Sequence, residues 1–226
     1  MYFSKLEPAP DGEPTTKMWL GQRLANPYRL HQLLFDFFPG TAKDEERPFL
    51  YREVRGKRRF PKIYLLSEEK PEAIPTWHTA TKPYQPQVKA GDHLIFSLRA
   101  NPVVCQNGKR HDVVMAHIHP LKSAGKPYNR QQIVREAGLV WLHKQAQRFG
   151  FEFHDDAVRT GGYRQNKLFR PPKKGTDSPR KPIQFASMEF DGSLTVTHPD
   201  AFLKALREGI GRSKGFGCGL LLVKRA

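Results

Sequence analysis

The run Gly209-Ile210-Gly211-Arg212-Ser213-Lys214-Gly215-Phe216-Gly217-Cys218-Gly219 packs five glycines into eleven residues. Glycine loses more freedom on folding than any other residue, so such a density needs a reason: close approach of the backbone, or positive φ. Arg212 and Lys214 stand among the glycines, so free amides and cations converge on one loop, a combination suited to a phosphate. The Gly-Lys-Ser/Thr of a Walker loop is missing. The run also leads from a helical pattern into a strand pattern, the reverse of a dinucleotide fingerprint. The plainer account is a tight connection whose glycines let two elements pack. The interleaved cations favour phosphate contact, with Gly209, Gly211, Arg212, Ser213, Lys214, Gly215, Gly217 and Gly219 as the candidate residues.

Tyr28 and His31 are the second pair with chemical potential. A spacing of three sets both on one face of a helix. Leu30, Leu33, Leu34 and Phe37 define its buried stripe, so the two rings lie away from the stripe's centre. An isolated helical histidine is more often a boundary residue than a catalyst. Its near-neutral pKa nevertheless suits proton transfer, and the pair becomes a cleavage site if the glycine run folds beside it. His111, His117 and His119 raise a different chemistry, since His117 and His119 share a face if their segment is a strand. A zinc site needs a third ligand and usually a fourth. No cysteine or acidic residue stands at ligand spacing, so neither a metal nor any other cofactor is expected.

A third feature is the basic span from Arg159 to Lys181, which holds Arg159, Arg164, Lys167, Arg170, Lys173, Lys174, Arg180 and Lys181 with Tyr163 and Phe169 between them. Cations neutralise phosphates and aromatic rings stack on unpaired bases, so this mixture suits RNA. The candidate contacts are Arg159, Arg164, Lys167 and Arg170. The whole chain of 226 residues carries a formal charge of +16 and has a pI of about 10.0. That excess says more about partners than about fold, and points to a polyanion. Two distant cysteines, Cys105 and Cys218, make no disulfide framework. Met1 to Lys5 opens as a strand rather than a signal peptide, and no apolar run reaches the length of a membrane span. A cytoplasmic protein without membrane contact is expected.

The elements that must hold these residues alternate between types. A strand at Tyr2 to Leu6 is followed by a Pro-, Gly- and Thr-rich loop, Pro8 to Gln22. Asn26 and Pro27 suit the cap and first position of a helix that Pro39-Gly40 stops. Strands are expected at Phe49 to Arg55, Lys62 to Leu66 and His93 to Val104, with Pro71 to Pro86 unassigned between the last two. In the second half, Asn107 to His119 suggests a strand or hairpin, a helix runs from Asn129 to Phe149, and Phe151 to Val158 forms a strand. Strands Ile183 to Phe190 and Leu194 to Thr197 read as a hairpin joined by Asp191-Gly192-Ser193. A helix to Glu208 and a strand from Gly219 to Lys224 finish the chain. The fold class is α+β, as two tandem ferredoxin-like (RRM-like) domains, residues 1–106 and 107–226.

The sequence resembles the CasE family, the repeat-cleaving endoribonucleases of type I-E CRISPR systems. The likeness is carried by Met1-Tyr2-Phe3-Ser4-Lys5, Tyr28-Arg29-Leu30-His31-Gln32, Phe38-Pro39, Phe49-Leu50-Tyr51-Arg52-Glu53, Phe96 to Pro102, and the glycine run through Leu221. The resemblance implies a catalytic histidine at His31, an assisting tyrosine at Tyr28, and Lys214 as the cation beside the scissile phosphate. It implies CRISPR repeat RNA as substrate, retention of the mature crRNA, and membership of the type I-E surveillance complex. The reaction expected is a metal-independent attack by the RNA's own 2′-hydroxyl, giving a 2′,3′-cyclic phosphate and a 5′-hydroxyl. Whether His31 is base or acid stays open. The alternatives are a non-catalytic RNA-binding subunit, and a metal-dependent nuclease built on His111, His117 and His119.

Overall fold

The computed structural model describes residues 1–9, 13–41, 47–56, 60–169 and 181–226. The chain divides into two compact units. The first comprises Met1–Gln85, the described residues of Lys167–Ile183, and Lys214–Gly217, and the second comprises Pro86–Asn166, Gln184–Ser213 and Cys218–Ala226.

In the first unit, β1 (Tyr2–Pro8) is followed by helices α1 (Pro14–Leu24) and α2 (Pro27–Leu34), then by β2 (Phe49–Val54), β3 (Lys62–Ser67) and β4 (Trp77–Pro83). The four strands form an antiparallel sheet in the order β2-β3-β1-β4, with Ser4 opposite Leu65 on one side and Thr81 on the other. That is the ferredoxin-like order, lacking a helix between β3 and β4. Asn26 caps α2 as expected, its side-chain oxygen accepting from the Tyr28 amide at 2.9 Å, and Pro27 occupies the first turn. Leu30, Leu33, Leu34 and Phe37 are buried against Leu6, Phe49, Tyr51, Ile63, Leu65 and Trp77. α1 corrects the expectation of a loop over Pro8 to Gln22. Pro14 starts it, and Leu20 and Leu24, one turn apart, give it a buried edge that its Thr and Gly content obscures.

The second unit runs β5 (His93–Ala100), β6 (Val103–Gln106), β7 (Lys109–Asp112), α3 (Val113–Ser123), α4 (Arg130–Phe149), β8 (Phe151–Glu152), β9 (Val158–Leu168), β10 (Ile183–Val196), α5 (Pro199–Glu208) and β11 (Leu221–Arg225). Its sheet has the order β11-β5-β10-β8, with β9 also pairing β10, again ferredoxin-like. Trp141 of α4 stacks on Phe190 of β10, ring centroids 5.6 Å apart, and Phe202 of α5 meets Phe151 edge-on at 5.9 Å. β6 and β7 form a separate two-stranded ribbon.

The structure corrects the sequence reading at three further points. The strand at His93 pairs with β10 and β11, so it opens the second unit rather than closing the first, and the division falls after Gln85 instead of Gln106. The strand that completes the first sheet is β4, inside the unassigned segment. Its seven residues alternate in burial, but it is an edge strand whose inward positions after Trp77 are Thr79 and Thr81, so the sequence shows no apolar period there. The Asp191-Gly192-Ser193 segment is not a turn but the middle of β10, paired in register with Ser97, Phe96 and Ile95. A Cβ at Gly192 would lie 2.2 Å from the Ala157 carbonyl oxygen, so the glycine serves close backbone approach.

Candidate active site

The chemistry of the first unit gathers around His31. Its place in the last turn of α2 sets the imidazole beside the buried stripe, edge-on to Phe35 at 5.2 Å and flanked by Phe49 and Phe216 at 6.1 and 6.3 Å. Residues Lys214–Phe216 form a single 3-10 turn in front of it. A Cβ at Gly215 would stand 3.6 Å from Cε1 and 3.8 Å from Nε2 of His31, and 3.7 Å from Nη1 of Arg47. The imidazole edge and a guanidinium therefore converge on one glycine backbone. Nδ1 of His31 is buried with no hydrogen-bond partner among the described residues. Burial, reinforced by the Arg47 charge, lowers the His31 pKa from 6.5 to about 4. At neutral pH the ring is uncharged and can accept a proton.

Tyr51 fixes the turn in this place. Its hydroxyl, on a side chain that is 1% exposed, donates to the Gly215 carbonyl oxygen at 3.0 Å. Gly217 lies against the same ring: its φ is +75°, and a Cβ there would meet Cε2 of Tyr51 at 3.2 Å. A side chain at 217 would thus be strained twice, by backbone and by contact. Tyr28 lies one turn before His31, half-buried on the same helix. Lys214 is half-buried at the start of the turn.

The glycine run is divided between the units. Gly209 to Ser213, with Cys218 and Gly219, belong to the second. There Ile210 N–H donates to the Gly219 carbonyl at 2.8 Å, and Gly219 N–H to that of Arg99 at 2.7 Å. The Asn101 amide donates to the Ser213 hydroxyl at 2.7 Å. Gly211, with φ at +82°, lies on Trp141, whose Cζ2 would be 3.3 Å from an added Cβ. Packing thus accounts for Gly211 and Gly217, while Gly215 borders His31. Arg212 is exposed.

Of the basic span, Arg159 and Arg164 are exposed on β9, as is Lys167, whose ammonium sits over the Phe169 ring at 5.4 Å. Arg170, with Lys173, Lys174 and Arg180, lies outside the described residues. His117 and His119 are on α3, not on a strand, and a spacing of two on a helix turns them to different faces. His117 Nδ1 bonds the Val113 carbonyl at 2.7 Å. Among the described residues, no group of three or more His, Cys, Asp or Glu is placed to hold a metal ion. No helix among them is long and apolar enough to cross a membrane.

Sequence reasoning missed Arg47 and the role of Tyr51. Nothing in the spacing of Arg47, which follows a Pro-, Gly- and charge-rich connection, ties it to His31. Tyr51 alternates with Phe49 along β2, and that alternation was the available signal for an inward-facing hydroxyl.

The family described as "CRISPR associated protein" matches residues 1–225. The CRISPR-associated endoribonuclease Cse3 of Thermus thermophilus is 27% identical over 215 residues, covering 88% of this chain and 90% of that one. The CRISPR system Cascade subunit CasE of Escherichia coli is 29% identical over 201 residues, covering 86% and 89%. The solved structure of Thermus thermophilus Cse3 bound to an RNA representing a pre-cleavage complex superposes with a TM-score of 0.68 at 22% identity, over 99% of this chain and 98% of that one, which supports the ferredoxin-like assignment. With a family match that runs from end to end, the chain belongs to the CRISPR associated protein family, the one that the CasE resemblance of its motifs pointed to.

Proposed function

We propose that this protein is an endoribonuclease that cuts CRISPR precursor RNA within its repeat stem-loops, without a metal ion, and keeps hold of the crRNA. The observation that carries the reading is the convergence of His31 and Arg47 on the backbone of Gly215, in the Lys214–Phe216 turn. The relatives named as an endoribonuclease and as a Cascade subunit support both the substrate and a place in the type I-E surveillance complex.

RNA carries its own nucleophile beside the phosphate to be cut, so the enzyme need not activate water. The 2′-oxygen bonds to phosphorus, the bond to the 5′-oxygen breaks, and the products are a 2′,3′-cyclic phosphate and a 5′-hydroxyl. Holding the two oxygens in line makes the attack intramolecular. His31, neutral before RNA binds, takes the 2′-hydroxyl proton. A phosphate entering beside it adds negative charge, which raises the pKa of the ring and strengthens it as a base. Arg47 and Lys214, with the amides of the turn, oppose the charge that builds on the phosphorane. Tyr28 gives its phenolic proton to the leaving 5′-oxygen and regains one as His31 sheds the proton it took from the 2′-hydroxyl. The exposed cations Arg159, Arg164, Lys167 and Arg212, with Arg170, hold phosphates of the stem, whereas the amides of Gly209 and Gly219 are already bonded within the chain and packing accounts for Gly211 and Gly217.

The test is cleavage of an end-labelled repeat hairpin in excess chelator, by wild type and by His31→Ala. A single cut by wild type, lost in the variant while binding persists, is expected. A 2′-deoxy nucleotide before the cut should abolish cleavage and spare binding. Equal cutting of the deoxy RNA would end this mechanism, and tight binding by both proteins with no cutting by either would reduce the protein to a binding subunit.

A further inference from the structure

Beyond the residues assigned to cleavage, the second unit carries a cationic feature that makes no ion pair among the described residues. β6 and β7 pair from Val103↔Asp112 to Gln106↔Lys109 and belong to neither large sheet. Asn107 and Gly108, with φ of 50° and 71°, make the two-residue turn that such a ribbon favours. Every residue from Cys105 to His111 is exposed. Partners across the ribbon share a face, so Lys109 and His111 project to one side and Arg110 to the other. Neither Lys109 nor Arg110 has an acidic partner among the described residues.

The base of the ribbon, unlike its tip, is held firmly. Asn101, 6% exposed and two residues before β6, is tied to Ser213. At the other end, Asp112 accepts from the amides of Val114 and Met115 at 2.9 and 3.4 Å, and from the Tyr163 hydroxyl at 2.6 Å. Burial and that bond raise the Tyr163 pKa, so the phenol stays protonated and the clamp holds. Asp112 is therefore engaged with its own helix and with Tyr163, and is not aimed at the cations. Arg130 lies over the Tyr163 ring, 5.7 Å from its centroid. It also opens α4, where no acidic residue stands in the first turn. A cation there opposes the helix dipole, so its position brings the helix no benefit.

We propose that the β6–β7 ribbon, through Lys109, Arg110 and His111 with Arg130 beside its base, binds the sugar-phosphate backbone of the RNA. The contact is additional to the residues that cut. Charge on a free ribbon edge also deters strand pairing, but one lysine serves that end. Three consecutive cationic or titratable residues on a clamped two-stranded ribbon instead fit a polyanion, which a ribbon meets along its length. The inference rests on the RNA-processing reading, and the experiment separates the two.

The full-length chain and its Lys109→Ala/Arg110→Ala variant are compared for binding of a labelled repeat hairpin across a salt series, and for single-turnover cleavage at saturating enzyme. The variant is expected to bind about 10-fold more weakly, with a slope of log K against log salt flatter by about 2, while the saturated rate stays within about twofold. Lys109→Arg/Arg110→Lys, which keeps the charge, should bind as wild type does and controls for folding. Wild-type affinity and slope in the alanine variant would overturn the proposal. So would unchanged RNA binding with loss of co-purification with other subunits, which would make the ribbon a protein contact. If wild type neither binds nor cuts the hairpin, the processing reading falls and the ribbon's role falls with it.

Discussion

The Tyr51 hydroxyl donates to the carbonyl oxygen of Gly215, 164 residues away in sequence. The bond fixes the turn that faces His31. Tyr51→Phe removes the donor and leaves a carbonyl without its partner, at a cost of about 1 kcal/mol in stability. Its effect on catalysis should be larger than on binding, because a turn free to shift no longer presents its amides to the phosphorane. We expect single-turnover cleavage to fall about 10-fold, with RNA affinity within about threefold of wild type. An unchanged rate would show that the tether does not position the turn.

Gly215 itself offers a sharper probe. Its φ is not in the left-handed region, and an added Cβ would make ordinary contacts at 3.6 to 3.8 Å with His31 and Arg47. Gly215→Ala should therefore fold normally. The methyl group would occupy the space in which a phosphate meets His31, and cleavage should fall about 100-fold with no loss of melting temperature. If the variant cuts as wild type does, the scissile phosphate is bound elsewhere.

The depressed pKa of His31 gives a signed dependence on pH. A base must be unprotonated, so activity falls on the acid side. In the free enzyme, burial and Arg47 hold that limb near pH 4. In the complex, the RNA phosphate moves it upward. The acid limb of the saturated rate should therefore lie at higher pH than that of the second-order constant. Arg47→Gln removes a cation that disfavours protonation, so the His31 pKa should rise, as read by NMR titration of the ring. A limb on the alkaline side instead would make His31 the acid.

Stability should follow the same shift. The folded pKa of about 4 lies below the unfolded value of 6.5, so between these limits the unfolded chain binds the extra proton. Stability is therefore lost as pH falls from 6.5 towards 4, and rises with pH across that window. His31→Gln, which cannot titrate, should flatten this part of the curve in denaturant melts. Parallel curves for the two proteins would show that His31 is not buried as described.

How far this architecture could be read in advance depended on burial pattern. α2 was legible because cap, proline and apolar stripe agree at Asn26, Pro27 and Leu30 to Phe37. The pairing of His31 with the glycine run is legible only as a condition, since nothing local brings residue 31 to residue 215. β4 was illegible: an edge strand buries little, and Trp77 alone sets no period. With β4 hidden, the strand expected at His93 to Val104 is the one left to complete the first sheet, whereas it pairs β10 and β11, and the division between the units moves with it. The metal alternative likewise depended on a strand at His117 that Asp112, capping a helix, forbids.

The Asp191-Gly192 dipeptide shows how one pattern admits two structures, and the two differ in what a substitution does. A two-residue hairpin turn takes asparagine about as readily as glycine, because both accept positive φ. In β10 the demand is one of space: the Ala157 carbonyl oxygen stands 2.2 Å from where a Cβ would be, and the Val158 Cα 3.0 Å. Both neighbours are backbone, so relief requires the facing segment to move. Gly192→Ala should cost about 3 kcal/mol and lower the melting temperature by about 10 °C, and Gly192→Asn should cost at least as much. An asparagine variant that melts with wild type, beside an alanine variant that does not, would restore the turn and break β10 in two.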